Sequence, residues 1–214
     1  DGNFEQAYSE DSTYETAIRI YQAYLEKDME ADGTRYLEAA LTTEPKSAQD
    51  YCDRGRVYYY MEDYENAQKE LTEAVGKEST EALILLGMVY TEQGDTENAR
   101  TMYQQYINEA ENGAKGYNGL ALCDIAEGDY DSALSNISSG IPSATTEEMQ
   151  SLLFNEIVVY EKKLDFATAQ QKAQEYVEMF PDDTAAQKEL AFLKPAQDSK
   201  FQLHKKEYSF YRIR

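Results

Sequence analysis

The sequence predicts an all-α chain built as a tandem array of helical hairpins, and three observations carry that reading. Small residues recur at a repeating interval: Gly55 and Gly87 are 32 positions apart, Gly94 and Gly128 are 34, and Ala133 and Ala169 are 36. Within each interval, apolar residues fall at three- and four-residue spacing in two runs separated by a short turn, which is the pattern of two amphipathic helices. The 214 residues hold only 4 Pro and 11 Gly, with 42% hydrophobic residues, so there is apolar material to fold and little sign of long-range disorder. A period of this length implies stacked units. Neither helix of a pair buries its stripe alone, and stacking gives a continuous core.

Taken in order, residues 1–13 read as the remnant of a preceding unit, because Gly2-Asn3-Phe4-Glu5-Gln6-Ala7 resembles the start of a second helix; a longer array upstream is the expectation. Residues 14–47 form a diverged unit, with Ala17, Ile20, Tyr21 and Tyr24 on its first helix and a turn near Lys27-Asp28. Leu37, Ala40 and Leu41 lie on its second helix, which ends by Pro45, and its glycine, Gly33, falls in that second helix, so its packing differs from the rest. An alternative register makes Tyr14, Ala17 and Tyr21 a second helix, but leaves residues 29–46 unpaired. Residues 48–79 place Tyr51, Gly55 and Tyr58 before a turn at Met61-Glu62-Asp63, then Tyr64, Ala67, Leu71 and Ala74. Residues 80–113 repeat this with Leu83, Gly87 and Tyr90, a Gly94-Asp95 turn, then Ala99, Tyr103 and Tyr106.

Residues 114–149 carry Tyr117, Leu120 and Ala121, a Gly128-Asp129 turn, then Tyr130, Ala133, Ile137 and Gly140. Residues 150–183 carry Leu153 and Tyr160, a turn at Leu164-Asp165, then Phe166, Ala169, Ala173, Tyr176 and Pro181. Opposed small residues (Gly55 with Ala67, Gly87 with Ala99, Ala121 with Ala133) are expected to let paired backbones approach. Residues 184–193 read as a capping helix with Ala186, Leu190 and Leu193 inward, stopped by Pro195. The last segment, residues 194–214, is a basic aromatic tail of net charge +4, against −25 for residues 1–193. Phe201, Leu203, Tyr208, Phe210 and Ile213 approach a period of two, which reads as extended or hairpin chain, or else as a scar of expression.

The stretches "YCDRGRVYYYMEDYENAQKELTEA" and "LILLGMVYTEQGDTENARTMYQQY" resemble the tetratricopeptide repeat family, whose pattern runs from a large aromatic through Leu-Gly and Tyr to a Gly-x-Tyr turn, Ala, an aromatic, Ala and a closing Pro. The resemblance covers about Tyr14 to Leu193, with Tyr51, Leu83, Tyr117 or Leu153 in place of the opening Trp and two units lacking the closing Pro. It implies a right-handed α-solenoid of about five units and a non-enzymatic scaffold that takes a partner protein or peptide in its concave groove.

Family geometry puts the first helices on the concave side. Carried onto this chain it places Ile18, Arg19 and Gln22, then Cys52, Asp53, Arg56, Tyr59 and Tyr60, then Ile84, Leu85 and Met88, then Asn118, Leu122 and Ile125, then Phe154, Asn155 and Val158 along that groove. The aliphatic members of this set also suit core positions between successive first helices. Tyr59, Tyr60 and Asn155 suit a wet contact surface better, since a polar tip stays hydrated while the body touches a peptide. A clamp for acidic chaperone termini would need several basic residues, and only Arg19 and Arg56 come near; such tails are not the expected partner.

Composition narrows the chemistry further. A net charge of −21 argues against nucleic-acid binding. His204 is the single histidine and lies in the tail, and Cys52 and Cys123 are 71 positions apart, far from any metal or redox spacing. Phosphate loops and HExxH are absent from the sequence, and no cofactor, metal or catalytic residue is expected. Asp28-Met29-Glu30-Ala31-Asp32-Gly33 opens like a calcium loop but carries Arg35 at its eighth position and Ala39 at its twelfth, where the bidentate Glu belongs. Asn136-Ile137-Ser138 fits a glycosylation sequon but falls within an expected helix. No apolar run is long enough to cross a bilayer. The chain opens on Asp1 rather than Met, so a processed form is expected. Its compartment stays open between an exported, membrane-tethered bacterial location, as in many related arrays, and the cytoplasm. Two further functional readings are carried: self-association through docking of the basic tail on an acidic repeat surface, and the recognition segment of a larger enzyme or sensor.

Overall fold

The computed structural model describes residues 2–194. The expected tail conformation, its docking on the repeats and His204 lie outside the described residues. Twelve α-helices follow one another, with no strand among the described residues: α1 (Gly2–Glu10), α2 (Tyr14–Leu25), α3 (Glu30–Ala40), α4 (Ala48–Tyr60), α5 (Tyr64–Gly76), α6 (Thr80–Glu92), α7 (Thr96–Glu109), α8 (Ala114–Glu127), α9 (Tyr130–Gly140), α10 (Thr146–Lys162), α11 (Phe166–Met179) and α12 (Thr184–Leu193). The chain divides after Met102, within α7, into two compact units.

One backbone device builds the hairpins. At the end of α4, Glu62 turns left-handed with φ 57°, and the Asp63 N–H reaches back to the Tyr58 carbonyl at 3.0 Å. Gly94, Gly128 and Leu164 do the same after α6, α8 and α10, where the N–H of Asp95, Asp129 and Asp165 donates to the carbonyl of Tyr90, Asp124 and Tyr160 at 2.8–2.9 Å. This is the Schellman closure, in which a left-handed residue satisfies the helix's last carbonyls. The aspartate that completes it immediately caps the next helix: Asp63, Asp95, Asp129 and Asp165 each accept from the backbone N–H three residues on. One aspartate therefore serves both helices of a pair, across a turn of two or three residues. Four of the first helices start differently, on Ser or Thr, while α8 starts on Gly113. Thr13, Ser47, Ser79 and Thr145 cap α2, α4, α6 and α10, and Asp50 and Glu148 complete reciprocal capping boxes.

Packing of α1 to α3 in the first unit is aromatic. Tyr14, Tyr21, Tyr24 and Tyr36 are buried with Leu37 and Ile20, and α1 joins them through Phe4, 5.1 Å from the Tyr24 ring, and Tyr8, 5.5 Å from Tyr36. Gly33 permits the α2–α3 contact, because a Cβ there would lie 3.1 Å from Tyr21 Cα and Tyr24 Cβ. Ala67 is buried as expected for a close approach, but the side chain that meets Gly55 is Leu71, whose Cγ would sit 2.6 Å from an added Cβ. The reason is direction: a helical side chain leans toward the N-terminus of its own helix, so Leu71 covers the spot that residue spacing alone assigns to Ala67.

The second unit is aliphatic at its centre. Leu152, Val159, Ile125 and Ile137 form one cluster, and Ile157, Val158, Tyr176, Leu190 and Leu193 another. Gly116 and Gly119 bring α8 against the end of α7: added Cβ atoms would meet the Tyr103 carbonyl at 2.8 Å and the Tyr103 ring at 2.6 Å. Asn136 sits within α9, as expected, and donates to Asp124 at 2.7 Å.

Candidate peptide-binding surface

The first helices of the first unit, α2, α4 and α6, carry a polar lattice on one face. Gln22 Nε2 donates to the Tyr60 hydroxyl at 2.9 Å, joining α2 to α4. Arg56 spans α4 and α6: it pairs with Asp53 at 3.7 Å on its own helix and with Glu81 on the next. Gln49 adds a bond to Asp53 at 3.1 Å. The Tyr59 hydroxyl points to Glu92 Oε1 at 3.5 Å. Rings of Tyr59 and Tyr60 meet edge to face with centroids 6.0 Å apart, Tyr64 lies 5.9 Å from Tyr59, and Tyr21 lies 5.4 Å beneath Tyr60. Each link crosses between neighbouring helices or braces one that does.

Electrostatics on this face are set by excess carboxylate. Burial and then Glu92 push the Tyr59 hydroxyl up to about 12, so it remains a neutral donor. Burial raises the Asp53 carboxyl above its usual range, with Glu81 and Glu15 adding to the rise against Gln49 and Arg56. For Arg56, burial works against the charge, but Glu81 and Asp53 hold the guanidinium above its ordinary value. Cys52, fully buried, is pushed up to about 12 by burial and then Glu81; it is a packed apolar residue and no nucleophile.

The groove residues expected from the sequence divide cleanly. Arg19 and Gln22 are exposed, and Asp53, Arg56, Tyr59, Tyr60, Ile84, Met88, Asn118 and Leu122 are half-buried. Ile18, Cys52, Leu85, Ile125, Phe154, Asn155 and Val158 are buried and present no free side chain. The correction has a physical cause: these positions fill the gap between one helix and the next, as Phe154 does against Tyr176 at 6.0 Å. Asn155 is the unusual member. It is 0% exposed, its Nδ2 donates to Asn118 Oδ1 at 2.8 Å, and its own Oδ1 has no hydrogen-bond partner.

Sequence reasoning missed the partners. Glu81 and Glu92 stand 25 and 33 residues from the groups they meet, and the one available signal was the repeat interval, which brings a residue of one first helix beside the next. It also missed a buried ion pair behind this face, where Arg54 Nε and Nη2 donate to Glu70 at 3.0 and 2.8 Å with side chains 14% and 6% exposed.

Residues 52–115 match the family model of the tetratricopeptide repeat. Over that stretch the chain is similar to the tetratricopeptide repeat family. Tetratricopeptide hairpins of the same kind occur in solved structures that it resembles at low sequence identity. TTC0263, a thermophilic TPR protein of Thermus thermophilus, is 13% identical with a TM-score of 0.69, over 85% of this chain and 98% of that one. The APC/C hetero-tetramer Cut9-Hcn1 is 13% identical with a TM-score of 0.64, and there the present chain is covered to 98% but spans only 43% of its counterpart. YrrB, described as a TPR protein with an unusual peptide-binding site, is 20% identical with a TM-score of 0.52, over 86% of this chain and 95% of that one. At such identities the likeness is one of fold. No curated protein matches the chain in sequence.

Proposed function

We propose that the chain is a non-catalytic interaction scaffold that takes a partner's peptide segment along the first-helix face of its first unit. The tetratricopeptide fold suggests the general role. The particular surface rests on one observation: Asp53, Arg56, Tyr59, Tyr60, Ile84 and Met88 remain half-exposed on α4 and α6, while their helix neighbours are core. Tyr and Met supply contact area at low entropic cost, and the Arg56 and Gln22 bonds hold the platform in place before a partner arrives. The unusual peptide-binding site of YrrB is consistent with such use of the fold. Panning a displayed random-peptide library on the full chain tests it. Enriched peptides should lose at least about tenfold in affinity on Tyr60→Leu, an anchor-sized effect; enrichment of peptides that bind Tyr60→Leu unchanged would move the site elsewhere.

A further inference from the structure

Resting on that reading, the chemistry of the face narrows the partner. Arg19 is tied to Glu15 at 2.6 Å, and Arg56 is held between Asp53 and Glu81. Both guanidiniums are therefore already neutralised by their own neighbours. Glu92, by contrast, meets only the Tyr59 hydroxyl at 3.5 Å among the described residues, and Glu62 adds negative potential at Tyr21 and Tyr64. What remains on offer is a set of half-exposed tyrosine rings bordered by carboxylates.

Three classes of peptide would meet this differently. An acidic or phosphorylated segment brings like charge to a face already bordered by Asp53, Glu81 and Glu92. An apolar neutral segment would take Glu92 out of water and leave it without a cation, which costs more than the contact returns. An arginine satisfies both features at once, since its planar guanidinium stacks on a tyrosine face and its fork of donors pairs with a carboxylate. We propose that the occupant of the Tyr59–Tyr60 surface is an arginine-bearing basic segment of another protein, with guanidinium over the rings and paired to Glu92.

Fluorescence anisotropy on the full chain tests this, using a labelled peptide of alternating Arg, Leu and Ser and its twins with Gln or Glu for Arg. The Arg peptide should bind about tenfold or more tighter than the Gln twin, the Glu twin should not bind, and the preference should weaken with salt. Tyr59→Leu with Tyr60→Leu should cost about tenfold, and Glu92→Gln, which leaves the fold untouched, about threefold. Glu147→Gln, an exposed carboxylate at the start of α10, is the control; a loss equal to that of Glu92→Gln would mean generic attraction to an acidic body and overturn the proposal. A Gln twin that binds as well as the Arg peptide, and depends on the tyrosine pair, would overturn the basic partner but leave the groove. Peptides indifferent to the tyrosine pair would overturn both. The chain's own residues 195–214 are the rival occupant: if Lys205→Gln with Lys206→Gln and Arg212→Gln tightens Arg-peptide binding by about tenfold or more, an internal segment holds the surface and an external partner is excluded.

Discussion

Set side by side, the two units use one hairpin design with different side chains in their interiors and on their faces. In the first, tyrosines crowd the core and the first helices are linked through Gln22, Arg56, Glu81 and Glu92. In the second, Leu152, Ile157, Val158 and Val159 fill the same kind of space, and amides link the first helices, Asn155 donating to Asn118. The junctions are alike in both. What differs is carried by side chains on a common backbone, so a repeat fold fixes where a surface lies and leaves its chemistry to the sequence.

The largest expected effect lies behind the first unit's face. Glu70→Ala takes two hydrogen bonds from the Arg54 guanidinium, which is 14% exposed, and leaves it the exposed Glu44 at 3.2 Å, so it should cost about 2 kcal/mol. Hydrogen exchange should rise in α4 and α5, with amides of α10 and α11 nearly unaffected; an equal rise in both units would show that they unfold as one. Next comes Gly116→Ala in the second unit. Its Cβ would press on the Tyr103 carbonyl, which is backbone and cannot rotate away, so the overpacking cost of ~2 kcal/mol should outweigh the ~1 kcal/mol gained from helix propensity. A lowered denaturation midpoint checks the sign.

The expected gain at Asn155→Leu is about 1 kcal/mol, because it removes a buried oxygen that has no partner and leaves Asn118 half-exposed to water. Thermal unfolding decides it: a loss would mean that the Asn pair secures the α8–α10 contact more than its geometry suggests. Smallest is relief of the left-handed turns. Leu164→Gly and Glu62→Gly should each raise stability by roughly 0.5 kcal/mol, since both residues sit at φ near 60° where a Cβ is costly. Gly94 and Gly128 at matching junctions mark the native alternative, and a gain in one unit only would show that its turn is held by other contacts.

How far the sequence carries depends on the range of the force involved. Turns at Glu62-Asp63, Gly94-Asp95, Gly128-Asp129 and Leu164-Asp165 were legible because a Schellman closure and an aspartate cap are decided within a few residues. Helical stripes were legible for the same reason. Exposure at the groove was not. Whether Val158 or Tyr60 faces water depends on how deeply the next helix seats, and Phe154 and Val158 lie under residues of α11 and α12 that no local pattern assigns to them. Ion partners escaped too, because charge pairing across an interval has many candidates in a chain with 41 acidic side chains, and only geometry selects Glu81 for Arg56.

The short junction between paired helices also governs how quickly the chain can find its structure. Because each hairpin is closed by groups adjacent in sequence, most of its contacts form without ordering a long loop, and the entropy of chain closure is small. Any hairpin with a strong junction can therefore nucleate and template its neighbour. The Gly94 and Gly128 turns, free of left-handed strain, are the places where that process should begin, with the Glu62 and Leu164 hairpins zipping on from them.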